Sequence, residues 1–508
     1  MNSILRIGEL GSLGQIVARY PEAIFAASFI FLVTWACFHL LYNIFLHPLK
    51  HFPGPTLWAA TRLPWCWWQY NGRLNDRLLE LHTKYGHTVR IAPNDLSFTT
   101  DTAWKTIYGQ RSAEMGKDPV FRLHTPTGSQ NILVADRETH VRQRRLLSHA
   151  FSEKALREQE SILMMHVNKL QEQLSARCTS GPLNMVAWYT FTTFDLIGDL
   201  SFGENFGCLD NGDYVPFVRA TESISKELTF MQMLIYYRLQ KVRQIFMPKG
   251  VAGARFQNVK RAMDAVDRRI NRVTDRKDFL YYILAANDEK GMSRAEINVN
   301  AFSLSIAGSE STATLLSGAT FYLLTHRHIY TILVKEIRTA FKSENEITLA
   351  STNNLEYLGA VLSESLRLYP PVAGTLPRQV PPGGQTIDGA YVPAGTSVGV
   401  NHFSCFHHPQ NFYRADDFLP ERWLPGIRDA APFEKDNRAC MQPFSFGTRN
   451  CLGKNLAKAE MRLILAKLMW RFDLELVEGR GDWMEGQKIF GFWAKPPLMC
   501  RLEVMRRD

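Results

Sequence analysis

The pattern of apolar positions divides the chain into one continuous apolar run near the amino terminus and a longer region of amphipathic segments. The run from Ala23 to Leu46 contains no Asp, Glu, Lys or Arg. A helix of that length spans about 36 Å, which exceeds the ~30 Å hydrocarbon layer of a bilayer. The run is longer than the apolar region of a cleaved signal peptide, and no small-residue cleavage site follows it. It predicts a transmembrane anchor over 23–46, with a buried core helix as the alternative.

The sequence HPLKHFPGP follows this run. Its prolines fix φ and lack backbone donors, so we expect a stiff hinge over 47–60 between an amino-terminal tail (1–22) with its anchor and a globular domain over 61–508. Basic residues are more frequent after the anchor (Lys50, Arg62, Arg73, Arg77) than before it (Arg6, Arg19). This bias favours a cytosolic globular domain.

Helical spacing of apolar residues dominates the rest of the chain. It predicts helices over 74–85, over most of 153–327 and over 355–369, and a further apolar helical stripe from Ala457 to Phe472. Thr88–Ala92 and Leu96–Thr99 read as strands around a Pro-Asn-Asp turn, and 370–396 contains Pro, Gly and short β-like pieces. The fold class is therefore mainly α with a small β region.

Composition and charge limit the function classes. The chain has 508 residues, of which 45% are hydrophobic, and this excludes a disordered protein. Eight Cys are too few for a disulfide scaffold. The net charge of +10 permits nucleic acid, an anionic membrane or an acidic protein as partner. We expect no nucleic-acid binding, because the basic residues are not grouped with a known binding module.

The segment FSFGTRNCLG at 444–453 carries the most specific chemistry. It presents Cys451 between two glycines, directly before the helical stripe, where free N–H groups and the helix dipole stabilise a thiolate. Arg449 would lie beside it and can pair with an acidic group. A thiolate that binds haem iron needs such surroundings. A buried loop cysteine is the structural alternative.

The pattern F-x-x-G-x-R-x-C-x-G resembles the haem-binding signature of the cytochrome P450 family, with matches at Phe444, Gly447, Arg449, Cys451 and Gly453. The resemblance implies the P450 fold over the domain at 61–508, and haem b whose iron is bound by Cys451. It also implies a haem-thiolate monooxygenase. The segments YNIFLHPL, FPGP, AGSESTATLLSG and RLYPPV resemble fungal secondary-metabolism members near the isotrichodermin hydroxylases. Terpenoid, polyketide and peptide-derived substrates all remain open.

Two further segments resemble the family's structural charge network. Glu364 and Arg367 lie three residues apart on one helix face and resemble the E-x-x-R motif, while Arg422 lies in a P-E-R segment. A solvent-exposed ion pair is the alternative for each of them. The resemblance implies a buried network with a structural role.

The sequence Ala307-Gly308-Ser-Glu310-Ser311-Thr312 resembles the family's oxygen-activation segment, in which an acid and an alcohol relay protons. We expect Glu310 and Ser311, with Thr312, to be the catalytic residues, and the small pair Ala307-Gly308 to let another group lie flat against the helix. A solvent-facing polar face is the alternative. Ser311 stands where the family usually has Thr, and its freer rotamers predict a larger loss of reducing equivalents to peroxide.

The resemblance also supplies contacts for the two haem propionates and for the substrate. Arg449, Arg144 on helix C, His140 in place of the usual Trp, and Arg378 would bind the propionates. The substrate pocket would be lined by mainly apolar residues, which favours a bulky hydrophobic substrate. They are Phe302, Ser303, Ile306, Ala307, Ala373, Gly374, Phe490 and Phe492.

Redox partners follow from the resemblance and the charge. A basic surface of Arg142, Arg144, Arg145, Lys154, Lys454 and Lys458 would dock an acidic NADPH–cytochrome P450 reductase, with cytochrome b5 as a further candidate donor. The implied location is the endoplasmic reticulum membrane, crossed once.

Two other functions stay open. A haem-thiolate isomerase or dehydratase would share Cys451 but need no reductase, and the intact Glu310–Ser311 pair argues against it. A non-enzymatic haem sensor would hold a second protein ligand that substrate cannot displace.

Overall fold

The computed structural model describes residues 21–110, 114–121, 128–239, 249–272, 274–288, 291–477 and 482–505. The apolar run forms helix α1 (Pro21–Leu41), continued by a π-helical turn (Tyr42–Leu46). Its 22 residues from Phe25 to Leu46 have a mean hydropathy of 1.9 and no burial against the rest of the protein, as a candidate membrane span requires. Most of the predicted tail, residues 1–20, lies outside the described residues.

The predicted hinge at 47–60 packs on the globular domain. Leu49 is fully buried in a core cluster, and Pro53 O accepts a hydrogen bond of 2.7 Å from the backbone of Arg90. The Asn43 amide reaches back from the end of the anchor to Ala60 O, at 2.8 Å. The segment between the anchor and residue 61 is therefore held against the domain by core packing and by backbone pairing.

Helices form most of the domain, as predicted. In chain order they are α2 (Thr56–Ala60), α3 (Leu63–Tyr70), α4 (Leu74–Tyr85), α5 (Asp101–Tyr108), α6 (Arg137–Leu147), α7 (Glu153–Glu158), α8 (Glu160–Arg177), α9 (Met185–Phe202), α10 (Cys208–Asn211), α11 (Pro216–Tyr236), α12 (Lys249–Asn271), α13 (Phe279–Ala286), α14 (Arg294–Thr325), α15 (Arg327–Ala340), α16 (Glu356–Leu368), α17 (His402–His407) and α18 (Lys454–Arg471).

The strands are short. They are β1 (Thr88–Ala92), β2 (Asp95–Phe98), β3 (Gly116–Lys117), β4 (Leu183–Asn184), β5 (Arg378–Gln379), β6 (Gln385–Ile387), β7 (Ala390–Val392), β8 (Ser397–Val400), β9 (Phe472–Leu476), β10 (Lys488–Ile489), β11 (Trp493–Ala494) and β12 (Met499–Val504). The largest sheet has the order β1-β2-β8-β5-β3, with β2 and β8 parallel and the other neighbours antiparallel. A second sheet has the order β4-β12-β9, and β6-β7 and β10-β11 are hairpins.

Helix α14 crosses the core against α9, whose residues are buried along its entire length. A β-carbon at Gly308 would lie 2.7 Å from Cδ1 of Ile197, so this glycine lets the two helices approach each other. What lies against the helix at Gly308 is therefore the Ile197 side chain of α9.

Candidate functional site

The loop before α18 presents Cys451. The Cys451 backbone N–H donates to Phe444 O at 2.8 Å and closes the loop. Gly447 has a φ of +75°, and a β-carbon there would lie 1.9 Å from Tyr108 O, so only glycine fits. The Cys451 side chain is solvent-accessible and forms no disulfide. The loop thus holds an accessible thiol at the amino terminus of a helix of 18 residues.

The charges around Cys451 oppose the effect of burial on the pKa of its thiol. Protein surrounds the thiol on most sides and this burial raises its pKa, whereas the Gly453 N–H and the charges of Arg144 and Lys454 act to lower it. Arg144, on α6, donates to Asn450 O at 2.5 Å and to its side-chain oxygen at 2.7 Å. Helix α6 therefore clamps the residue before Cys451 and places a cation beside the sulfur.

Several cations converge on one buried acid near this loop. Arg449 pairs with Glu114, whose Oε1 lies 3.8 Å from Arg378. Burial, together with Arg449 and Arg378, lowers the pKa of Lys117 to about 7. Burial and the same two arginines, with Lys117 and Arg144, lower the pKa of His140 to about 3, so its imidazole is neutral. Sequence reasoning missed Glu114 and Lys117.

The predicted charge network is fully buried. Glu364 Oε1 accepts from Arg367 at 2.8 Å and from Arg422 at 3.1 Å, and its other oxygen accepts from Trp423 Nε1 at 2.8 Å. The side chains of Glu364, Arg367 and Arg422 are all fully buried. Burial alone would raise the pKa of Glu364, but the two guanidinium groups hold it below its ordinary value.

Sequence reasoning missed one member of this network. Asp436 Oδ2 lies 2.5 Å from Arg422 Nη1, and this carboxylate is buried as well. Glu364, Arg367 and Arg422 alone would bury a net positive charge, which is costly. Asp436 balances that charge, so the network contains two acids and two bases.

A cavity of about 1020 Å³ lies along α14 on the side of Glu310. Six of the predicted pocket residues line it: Phe302, Ser303, Ile306, Ala307, Phe490 and Phe492. Asn298 also lines it, and its buried Oδ1 has no hydrogen-bond partner among the described residues. The wall is therefore largely apolar with a few polar groups.

Two predicted pocket residues lie elsewhere. Ala373 is fully buried in the main core, where its carbonyl accepts from Phe403 N at 2.9 Å, so it does not line the cavity. Gly374 does not line it either, although a β-carbon there would meet no atom within 4 Å.

The predicted acid and alcohol on α14 have separate partners. Glu310 pairs with Lys495, which also donates to Thr314 Oγ1 at 2.8 Å. The Ser311 hydroxyl donates to Ala307 O at 2.6 Å. Lys495 was not foreseen, although a charge within the apolar sequence FWAKPPL is an available signal.

Thr312 turns away from the cavity. It is buried and hydrogen-bonds Glu460 of α18, so the structure does not bring it to the cavity beside Glu310. Desolvation raises the pKa of Glu460 to about 8, and only Thr312 opposes this shift. Because one helical step rotates a side chain by about 100°, Ser311 and Thr312 cannot face the same side.

The expected basic surface is partly neutralised. Arg142 pairs with Glu296 at 2.6 Å, Arg145 with Asp288 at 3.2 Å and Lys154 with Glu158 at 3.9 Å. Lys454 and Lys458 lie 6.0 and 5.9 Å from the Phe444 ring centroid, next to the Cys451 loop. Arg144 instead bonds Asn450, so Lys454 and Lys458 are the predicted surface cations that lack an acidic partner among the described residues.

Comparison with known proteins identifies the family. The family model described as "Cytochrome P450" matches residues 53–501. The chain belongs to the cytochrome P450 family. Cytochrome P450 monooxygenase astJ of Aspergillus oryzae is 43% identical over 95% of this chain and 97% of its own. Averantin hydroxylase of Dothistroma septosporum is 40% identical, over 98% and 94%. Trichothecene C-15 hydroxylase of Fusarium sporotrichioides is 41% identical, over 90% and 94%.

These matches confirm the predicted family, the fold class and the place of this P450 among fungal monooxygenases and hydroxylases of secondary metabolism. It is a P450 monooxygenase, and membership implies a haem-thiolate cofactor, a redox partner and a hydrophobic substrate. The bound haem supplies the activation of oxygen.

The residues of this P450 fit that cofactor. Arg378, Arg449 and Lys117 lie around the single carboxylate of Glu114, and a buried excess of cations needs additional anions. Two propionates would meet this need. A β-carbon at Gly453 would approach no atom closer than 3.7 Å, which leaves space beside the accessible Cys451.

Proposed function

We propose that this P450 hydroxylates or epoxidises a hydrophobic small molecule of fungal secondary metabolism, of terpenoid, polyketide or peptide origin. One observation carries the proposal: an accessible cysteine, clamped at the start of α18 beside buried cations, lies in the same domain as a large apolar cavity. We further propose that α1 anchors the chain in the endoplasmic reticulum membrane with the domain over 61–508 in the cytosol. Residues 47–60 would then fix the domain to its anchor.

The proposed roles follow the geometry. Cys451 would bind the iron, while Arg449, Arg378 and Arg144 would neutralise the propionates, with neutral His140 as a hydrogen-bonding group. Phe444 and Gly447 would shape the cysteine loop, and Gly453 would leave room for the ring. The network of Glu364, Arg367 and Arg422 would keep rigid the part of the domain that supports the Cys451 loop. Glu310 and Ser311 would hold and pass protons on the cavity side.

The cavity supports a substrate with an apolar skeleton and at least one hydrogen-bond donor. Asn298 lines the cavity and is only 3% exposed, and its buried Oδ1 has no hydrogen-bond partner among the described residues. Asn298 precedes Ala307 by nine residues on α14, which places them about 13 Å apart along the helix. We therefore expect a hydroxyl far from the carbon that is oxidised. The names of two relatives specify hydroxylation of averantin and of a trichothecene at C-15.

The electron source is proposed to be NADPH, through NADPH–cytochrome P450 reductase, with cytochrome b5 as an additional donor. Lys454 and Lys458 support docking of an acidic partner near the Cys451 loop, because their charges are not neutralised by an acid among the described residues. Such docking weakens as salt rises.

A carbon monoxide difference spectrum of the reduced full chain tests the core of the proposal. We expect the red-shifted Soret band of thiolate ligation, and its loss in Cys451→Ser. A normal band in that variant would refute the assignment of Cys451. Reductase-dependent NADPH and oxygen consumption with a spectrally binding metabolite would support a monooxygenase, whereas turnover without consumption would point to an isomerase.

A further inference from the structure

Lys495 is a buried cation that the proposed chemistry does not explain. Its side chain is 5% exposed, and it lines the cavity together with Glu310. It follows the hairpin β10–β11, in which Ile489 pairs with Trp493. An ammonium group placed in a largely apolar wall is costly unless its partner is fixed.

The segment that carries Lys495 is held on both sides. The Trp493 indole donates to Pro370 O at 2.8 Å, and the Trp483 indole donates to Pro496 O at 2.9 Å. Two consecutive prolines, Pro496 and Pro497, stiffen the chain that follows. The backbone that carries Lys495 is therefore fixed, and contacts with Glu310 and Thr314 place its ammonium group.

Lys495 closes a three-membered cluster on one face of α14. It contacts Glu310 and donates to Thr314, and Thr314 itself donates to Glu310 Oε1 at 3.3 Å. Ser311, the other half of the acid–alcohol pair, donates to Ala307 O instead. Among the described residues, the acid and the alcohol thus share no hydrogen bond.

We propose that Lys495 is a positioning residue of the distal proton relay: its ion pair holds the Glu310 carboxylate toward the β10–β11 hairpin, away from Ser311. The inference rests on the proposed function, because it assumes that Glu310 and Ser311 handle protons. It adds that the Glu310 carboxylate must break its ion pair with Lys495 before it can exchange a proton with Ser311. Lys495 itself is unchanged at the end of the cycle.

The other charged and titratable groups near Glu310 are few. The Tyr369 phenol, buried and bonded to Gln487, interacts electrostatically with Glu310. Lys226, Lys488 and Glu485 are the other charged residues that line the cavity. Lys467 supplies a matched control, since its side chain is only 2% exposed and pairs with Glu344 at 2.8 Å, and neither residue lines the cavity.

The experiment compares Lys495→Met, Lys495→Arg, Lys467→Met and Lys495→Met/Glu310→Gln in the haem-loaded full chain. Infrared spectroscopy follows the carbonyl band of protonated carboxylic acids from about pH 6 to about pH 8. We expect Lys495→Met to gain the band of a protonated carboxyl group, since the loss of the opposite charge favours the neutral acid. The band should be absent from Lys495→Arg and from the double variant. Subtracting the spectrum of the parent protein removes the band of Glu460, which the parent and the variants share.

A second readout is the peroxide released per NADPH with reductase present. We expect Lys495→Met to change this fraction and its pH profile, and Lys495→Arg and Lys467→Met to keep the parent values. A structural ion pair would lower the unfolding temperature without either change, and that result would overturn the proposal. So would equal effects of Lys467→Met on the peroxide fraction.

Folding is monitored by the reduced carbon monoxide spectrum. If Lys495→Met fails to load haem, recovery of loading in the double variant supports the pairing, and failure of both overturns the proposal. A parent protein without the red-shifted band would refute the proposed function instead, so the two failures are distinguishable.

Discussion

Two glutamates in this P450 are bound by cations, and their surroundings differ. Glu364 accepts hydrogen bonds from Arg367, Arg422 and Trp423 in a fully buried network balanced by Asp436. Glu310 remains 20% exposed, borders a cavity and has Lys495 as its cationic partner. A carboxylate with all its sites occupied is fixed, whereas one with a single cation at a cavity wall can change partners. The comparison separates a structural acid from one suited to proton transfer.

The largest expected effect comes from breaking the Glu364 network. Arg422→Met leaves Glu364 and Asp436 with one cation between them, and such a loss from a buried network costs about 3–5 kcal/mol. We expect little haem-loaded protein, measured by the reduced carbon monoxide spectrum and by thermal unfolding. A variant that loads haem and unfolds at the parent temperature would contradict this structural role.

Glu460 extends the comparison, because it is a buried acid that has no cationic partner among the described residues. Its pKa of about 8 lies above the ordinary value of 4.5, so its contribution to stability is full below about pH 4.5 and is lost as pH rises through about 8. We expect Glu460→Gln to flatten the fall in unfolding temperature over this range. Thermal scans from about pH 5 to about pH 9 measure it, and an unchanged slope would refute the assignment.

A smaller effect is expected on the cavity side. Ser311→Thr reduces the three staggered side-chain rotamers to two, so we expect peroxide per NADPH to fall about twofold. The measurement needs only the reductase and a peroxide assay. Ser311→Ala lacks the hydroxyl and should raise the peroxide released per NADPH. A rise in both Ser311→Thr and Ser311→Ala would show that the methyl group does not control this ratio.

The smallest effect is expected at an exposed pair. Arg414 and Asp417 form an ion pair with side chains 58% and 40% exposed, and such pairs contribute less than about 1 kcal/mol. We expect Arg414→Met to keep haem loading and the unfolding temperature. A large loss would mean that burial does not explain the sensitivity of Arg422.

Sequence reasoning succeeded where one motif is contiguous and its neighbours are local. The cysteine loop, the Glu364–Arg367 spacing and the helical stripe of α18 each lie within a short stretch, so residue spacing fixes their geometry. The helix itself ends at Arg471, and Phe472 begins β9, because a shared apolar periodicity does not mark where backbone pairing changes.

Sequence reasoning failed where distant segments meet. Glu114, Asp436, Glu460 and Lys495 approach their partners only through the tertiary fold, and no local spacing connects them. Ala373 was misplaced for the opposite reason, since an apolar residue in a loop suits a core as well as a cavity.

Leu49 has a practical consequence for making a soluble form of the enzyme. This side chain lies in the same core cluster as Leu96 and Phe98. Trimming the membrane segment just before His47 retains it, whereas trimming to residue 61 would empty a leucine-sized space, a change that costs about 2–5 kcal/mol in other cores. Where the chain is cut would therefore decide whether the purified catalyst keeps its rigidity.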